Sequence, residues 1–92
     1  LGVVPGANIG DDVAVFEAVH GSAPDIAGQG VANPLGLIKS SVLMLEHLGE
    51  LSAAERLDEA IHAAMRSGDA VTGDLGGTAK TDDVANAIIK AL

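Results

Sequence analysis

At 92 residues the chain makes one domain at most, and a chain this short buries only a modest fraction of its unfolded surface. A net charge of −8 with 5 lysines and arginines excludes a nucleic-acid surface, and the absence of cysteine excludes disulfides, thiolate chemistry and cysteine zinc sites. The hydrophobic share is 48% but Phe16 is the single aromatic residue, so the core is expected to be aliphatic, rich in alanine and shared with further polypeptide.

Residues Leu1 to Val4 form a short apolar run, and "PGANIG" after it reads as a turn cluster of Pro5, Gly6, Asn8 and Gly10. "DVAVFEAV", Asp12 to Val19, is β-branched and small-apolar with its alternation broken at Phe16 and Glu17, the pattern of a strand covered on both faces. From His20 to Asn33 no periodicity survives, and glycines 21, 28 and 30 with Pro24 predict a long irregular loop, of the kind usually kept for function or left disordered. Asn33 is the expected N-cap of a first helix with Pro34 at its first position; Leu35, Ile38, Val42, Leu45 and Leu48 are its apolar stripe and Gly49 its stop. Ser52 and Glu55 predict a capping box for a second helix with Leu57, Ile61, Ala64 and Met65 on one face, ending at Gly68 and packing antiparallel to the first. "AVTGDLGGTAKT" is a second glycine-punctuated loop, after which Thr81 is expected to cap a last helix that buries Val84, Ala85, Ile88, Ile89 and Leu92. Asp82 and Asp83 sit in its first turn, where the helix dipole favours acids. No apolar run reaches the length of a membrane span, and a chain opening on Leu1 predicts a piece of a longer polypeptide.

The long loop carries the chemistry worth weighing. Adenosine needs a flat contact, a donor and an acceptor for the base edge, and an acceptor for the ribose hydroxyls. His20, Asn33 and Asp25 can supply these in turn, and the small residues of Gly21 to Ile26 let the backbone approach closely. The plainer alternative makes His20 a core histidine, Asp25 an exposed turn residue and Asn33 a cap alone. "GQGVAN", Gly28 to Asn33, has G-x-G but follows a loop and lacks the third glycine, so it is no dinucleotide fingerprint. "TGDLGG", Thr72 to Gly77, lacks the lysine of a phosphate-cradling loop and reads as a plain turn segment. His20, Ser22 and Asp25 lie too close in sequence to converge as a hydrolytic triad. The adjacent pairs Asp11–Asp12 and Asp82–Asp83 diverge on regular structure and read as solvated acids, and His47 and His62 as structural or exposed, so no metal ligand set is predicted.

"NIGDDVAVFEAVHGSAPDIAGQGVANP" strongly resembles the β-decarboxylating dehydrogenases, the isocitrate and isopropylmalate enzymes, and the similarity continues through "TGDLGGTAKTDDVANAIIKAL". "PGANIGDDVAVFEAVHG" and "TGDLGG" are more like the NAD-dependent isocitrate members than the isopropylmalate ones. The resemblance implies an α/β subunit of the isocitrate/isopropylmalate dehydrogenase-like fold, with residues 1–92 as the C-terminal portion of its large domain. Its elements here would be a buried strand, a long cofactor loop, an antiparallel helix pair and a final helix. It further implies NAD as cofactor, with magnesium or manganese in the complete enzyme held by residues outside this segment. A small hydroxyacid would be the substrate, and the remainder of the same polypeptide and a homo- or hetero-oligomer the partners, in the cytoplasm or a mitochondrial matrix. By matching positions, His20 contacts adenine, Gly21, Ser22, Ala23, Pro24, Asp25 and Ile26 form the loop around the adenosine, and Asn33 reads the adenine edge. NADP-using relatives carry lysine at position 25, tyrosine at 26, and tyrosine and arginine near Gly73 and Gly77; all four 2′-phosphate ligands are missing. None of the family's bond-making residues falls in this segment, which is expected to be inactive alone. An isopropylmalate or related dehydrogenase, a regulatory subunit and a free-standing nucleotide-binding module are the alternatives.

Overall fold

The computed structural model describes residues 2–92, so Leu1 of the predicted first apolar run lies outside the described residues. The elements run β1 (Pro5–Ile9), β2 (Ala14–Ala18), α1 (Leu35–His47), α2 (Leu51–Ser67) and α3 (Thr81–Ala91), with short 3₁₀ turns at Pro24–Ile26 and Gly73–Leu75.

"PGANIG" is a strand and not the expected turn. β1 pairs antiparallel with β2 in the register Pro5↔Ala18, Ala7↔Phe16 and Ile9↔Ala14, and the ladder satisfies backbone groups that turn chemistry would otherwise have claimed. Pro5 stands at the first strand position, where proline is tolerated, and the reversal moves to Gly10–Val13, closed by the Gly10 amide on the Val13 carbonyl at 2.8 Å. β2 is shorter than predicted and half-buried in alternation, with Ala14, Phe16 and Ala18 turned inward and Val15 and Glu17 outward. Among the described residues only α1 packs on this hairpin, which is why the expectation of a strand covered on both faces is not met and Val13 stays 75% exposed.

α1 is the centre of a stack. It packs against both strands on one side and α2 on the other, and α3 packs on α2. Its hairpin side is made close by small residues: a Cβ on Gly36 would lie 3.2 Å from the Ala18 Cβ and from the carbonyls of Gly2 and Val4. One turn on, the buried Ser40 hydroxyl donates to the Glu17 carbonyl at 2.5 Å or the Gly36 carbonyl at 2.8 Å and accepts from the Gly6 amide at 3.4 Å, tying helix to hairpin. The opposite side joins the core of Leu35, Val42, Ala54, Ala60, Ile61, Ala64, Ala70, Val84 and Ile88, aliphatic and alanine-rich as composition implies.

Leu57 and Met65 pack on that core as predicted for α2, and Gly49 and Gly68 take the positive φ of helix stops. Three apolar expectations are corrected. Leu48 and Leu92 lie past the ends of α1 and α3, while Ile89 lies off the Val84–Ile88 stripe, and all three are exposed among the described residues. Two caps are corrected as well. α2 starts at Leu51, which leaves Ser52 inside the first turn with no cap bond, and α3 is capped by the Asp83 carboxylate accepting the Lys80 amide at 2.8 Å, not by Thr81. No helix among the described residues is long and apolar enough to cross a membrane.

Candidate functional site

Residues 19–34 hold no strand or α-helix, and their single regular feature is the 3₁₀ turn at Pro24–Ile26. The turn is entered through Ala23 at φ 43°, a left-handed conformation that a side chain adopts only at a cost of about 1–2 kcal/mol. Gly28 and Gly30, at φ 79° and 70°, carry the chain back toward α1. Asn33 then closes the loop by accepting the Leu35 amide on Oδ1 at 3.0 Å; α1 begins at Leu35 with Pro34 at its N-cap position, one residue later than expected, so Asn33 bonds the first helical amide from outside the cap position.

Three bonds fasten this loop to a segment far along the chain. The Thr81 amide donates to the Gly30 carbonyl at 2.8 Å, the Thr81 hydroxyl to the Ala32 carbonyl at 2.5 Å, and the Asn33 Nδ2 to Asp74 Oδ2 at 3.2 Å. Thr81 is therefore spent on the loop, which explains why it does not cap its own helix. Asp74 is held in turn by the Thr72 hydroxyl, itself fully buried, on its other oxygen. Burial pushes the Asp74 carboxyl upward, but hydrogen bonds from Thr72, from Asn33 and from the main-chain amides of Asp74 and Gly2 win and hold it below its ordinary 3.8.

The fastened loops enclose a cleft of about 890 Å³, large enough for a nucleoside-sized group. His20, Gly21, Ser22, Ala23, Ile26 and Asn33 of the predicted site line it; Pro24 and Asp25 do not. The exposed Asp25 makes no side-chain hydrogen bond among the described residues, and its main-chain carbonyl accepts Gln29 Nε2 at 2.9 Å. His20 is also exposed, with Nδ1 donating to the Gly21 carbonyl at 2.7 Å, which in the neutral ring leaves Nε2 as an acceptor. The opposite wall is Gly73 and Asp74 with Thr81 and Asp82. The formal charges on the lining are thus two carboxylates, with no lysine or arginine among them.

Reading the sequence missed Asp74, Thr72 and the far-wall role of Asp82. "TGDLGG" is more than a plain turn segment, yet nothing in its composition points to a partner 41 residues upstream. The other polar residues stand elsewhere: His47 packs beside Phe16 with ring centroids 5.6 Å apart, and the exposed His62 faces Asp58 at 3.6 Å on the surface of α2. Among the described residues no three acidic or histidine side chains gather where they could hold a metal ion.

The sequence profile of the isocitrate/isopropylmalate dehydrogenase family matches residues 1–88. An isocitrate/homoisocitrate dehydrogenase of Thermus thermophilus is 51% identical over 92 residues, 100% of this chain and 27% of that protein. The mitochondrial NAD isocitrate dehydrogenase subunit 2 of Saccharomyces cerevisiae is 52% identical over 93 residues, 100% of this chain and 25% of that protein. The crystal structure of isocitrate dehydrogenase from Methylococcus capsulatus superposes with a TM-score of 0.89 at 48% identity, over 95% of this chain and 26% of that one. The chain spans about a quarter of the length of the relatives it matches.

Proposed function

We propose, on the premise that this chain belongs to the isocitrate/isopropylmalate dehydrogenase family, that residues 1–92 are the C-terminal portion of the large domain of an NAD-dependent isocitrate dehydrogenase and bind the adenosine end of NAD. The supporting observation is the cleft itself, walled by His20 to Ala23, Ile26 and Asn33 on one side and by Asp74 and Asp82 on the other, with no lysine or arginine in its lining.

Each group has a part that its surroundings allow. The His20 ring, pinned through Nδ1, offers its face to the base. The Asn33 side chain is committed at both ends, to Leu35 and Asp74, whereas its main-chain N–H and C=O make no backbone bond among the described residues. The adenine edge is therefore read by main-chain groups that the side chain steadies. Asp25, on the turn beside the cleft, accepts the ribose hydroxyls as NAD seats. A 2′-phosphate there would face that carboxylate, at a cost on the order of 4 kcal/mol per unit charge at 4 Å and an effective dielectric near 20. A screened third of that is about tenfold in binding, and no lysine or arginine lines the cleft to offset it.

In the complete enzyme a bound nicotinamide cofactor would supply the hydride acceptor for oxidising the carbinol carbon of the hydroxyacid, and the decarboxylation that follows would be carried by residues outside this chain. The residues of this chain bind and orient the cofactor and make none of those bonds. They do not fit as holders of a divalent ion either, so the magnesium or manganese of such enzymes would be held by other parts of the polypeptide. The rest of that polypeptide and further subunits complete the site, in the cytoplasm or a mitochondrial matrix. A homoisocitrate or other 2-hydroxyacid substrate is the second reading, because the Thermus relative is named for two substrates and the cleft meets only the cofactor.

The test is Asp25→Lys with Ile26→Tyr in the full-length polypeptide, reading kcat/KM for NAD and NADP. Preference is expected to move toward NADP by tenfold or more; an unmoved ratio overturns the role of Asp25.

A further inference from the structure

We infer that Asp74 is a positioning residue for the dinucleotide: it acts through the Asn33 amide to hold the main chain of residues 30–33 in the conformation that meets the base. The inference rests on the adenosine reading of the cleft and adds a residue to it. Four observations carry it. Asp74 comes from the 3₁₀ turn at Gly73–Leu75, and Asn33 is 41 residues away just before α1, so their bond at 3.2 Å ties the far wall to the end of the loop. Asn33 is only 8% exposed and its other amide end is fixed by the Leu35 amide, so rotating the side chain would break two bonds at once. The carboxylate is itself held on its other oxygen by the buried Thr72 hydroxyl, which fixes where Oδ2 points. Finally, Thr81 ties down the carbonyls of Gly30 and Ala32. Asn33 is then the last point at which the loop can shift against its wall, and Asp74 is what holds it.

The pair has a directional chemistry that permits a swap. Asn33→Asp alone sets two carboxylate oxygens against each other across a hydrogen-bond distance while leaving the acceptor for Leu35. Adding Asp74→Asn restores one donor and one acceptor in reversed order, and the asparagine oxygen can still take the Thr72 hydroxyl. Asp74→Asn alone is mild, since its amide can turn its oxygen to Asn33 and its NH₂ to the Thr72 oxygen.

The experiment uses the full-length polypeptide and reads KM for NAD and for the hydroxyacid separately in each variant, above neutral pH. Asn33→Asp is expected to raise KM for NAD about tenfold or more, and the double variant to return it to within about threefold of the parent, with KM for the hydroxyacid following neither change. A double variant no better than Asn33→Asp, or a harmless Asn33→Asp, overturns the inference. Should Asn33→Asp not fold, Asp74→Ala probes the same bond from its other end: it leaves the Asn33 amide without its acceptor, and an unchanged KM for NAD overturns the role. His20→Ala in the same background separates the two layers. If it leaves KM for NAD unchanged, the cleft is not the adenosine site and both readings fall; if it raises KM while the swap gives no rescue, the role of Asp74 alone falls.

Discussion

NADP-using relatives, by the resemblance drawn from the sequence, carry tyrosine near Gly73 and arginine near Gly77, and the structure predicts that these two positions respond oppositely to any side chain. A Cβ on Gly73 meets nothing within 4 Å, whereas one on Gly77 would stand 1.9 Å from the Val71 carbonyl oxygen and 2.7 Å from the Val71 Cβ. Contacts shorter than 3.0 Å are essentially never seen for real Cβ atoms, so the strand of chain at Val71 or Gly77 must move by more than an ångström. That movement breaks the local bridge, in which the Gly77 amide donates to the Thr72 carbonyl at 3.0 Å and the Ala79 amide to the Val71 carbonyl at 2.9 Å. Two such bonds at about 0.5–1.5 kcal/mol each put the cost of Gly77→Ala near 2 kcal/mol. At about 4–8 °C per kcal/mol for a domain of this size, its melting temperature should fall by about 8–16 °C. Gly73→Ala should stay within about 0.5 kcal/mol of the parent, as for other open surface positions. Thermal unfolding followed by far-UV circular dichroism compares the two variants directly. Equal melting temperatures for Gly77→Ala and the parent would refute the packing argument, and with it the expectation that a cofactor switch needs this loop rebuilt before arginine can be placed in it.

Two further outcomes follow from buried polar contacts. Ser40→Ala removes the hydroxyl that joins α1 to the hairpin and should destabilise the protein by about 1–3 kcal/mol in urea unfolding; a smaller loss would mean that packing at Gly36 alone holds the hairpin. Because the Asp74 carboxyl titrates below its ordinary 3.8 when folded, its contribution to stability is fully present above 3.8 and is lost as pH falls through the folded value. Asp74→Asn should therefore flatten the acid limb of stability against pH, and parallel limbs in the two proteins would contradict the bonding described for this group.

The helices were the most legible part of the fold because their evidence is local. Leu35 and Val42, Ile61 and Ala64, and Val84 and Ile88 recur at helical spacing and are buried as that spacing predicts, and Gly49 and Gly68 end helices with the positive φ that glycine alone adopts freely. The family was legible as well, through one long loop whose residues seldom occur in that order otherwise. Where partners were remote, local rules misled. Proline and glycines in "PGANIG" argued for a turn until β2 supplied a ladder, and Thr81 looked like a cap until Ala32 claimed its hydroxyl.

Spacing along one chain thus determined which segments are helical, most of the faces they bury and that residues 20–33 form an irregular loop. Only the folded arrangement decided that Gly73, Asp74, Thr81 and Asp82 form its opposite wall, that Asn33 spends its side chain inside the protein, and that Gly77 has no room for a substituent. The reason is range: periodicity and turn chemistry act over a few bonds, while a hydrogen bond such as Asn33 to Asp74 exists only after α1, α2 and α3 have packed and brought the two loops together.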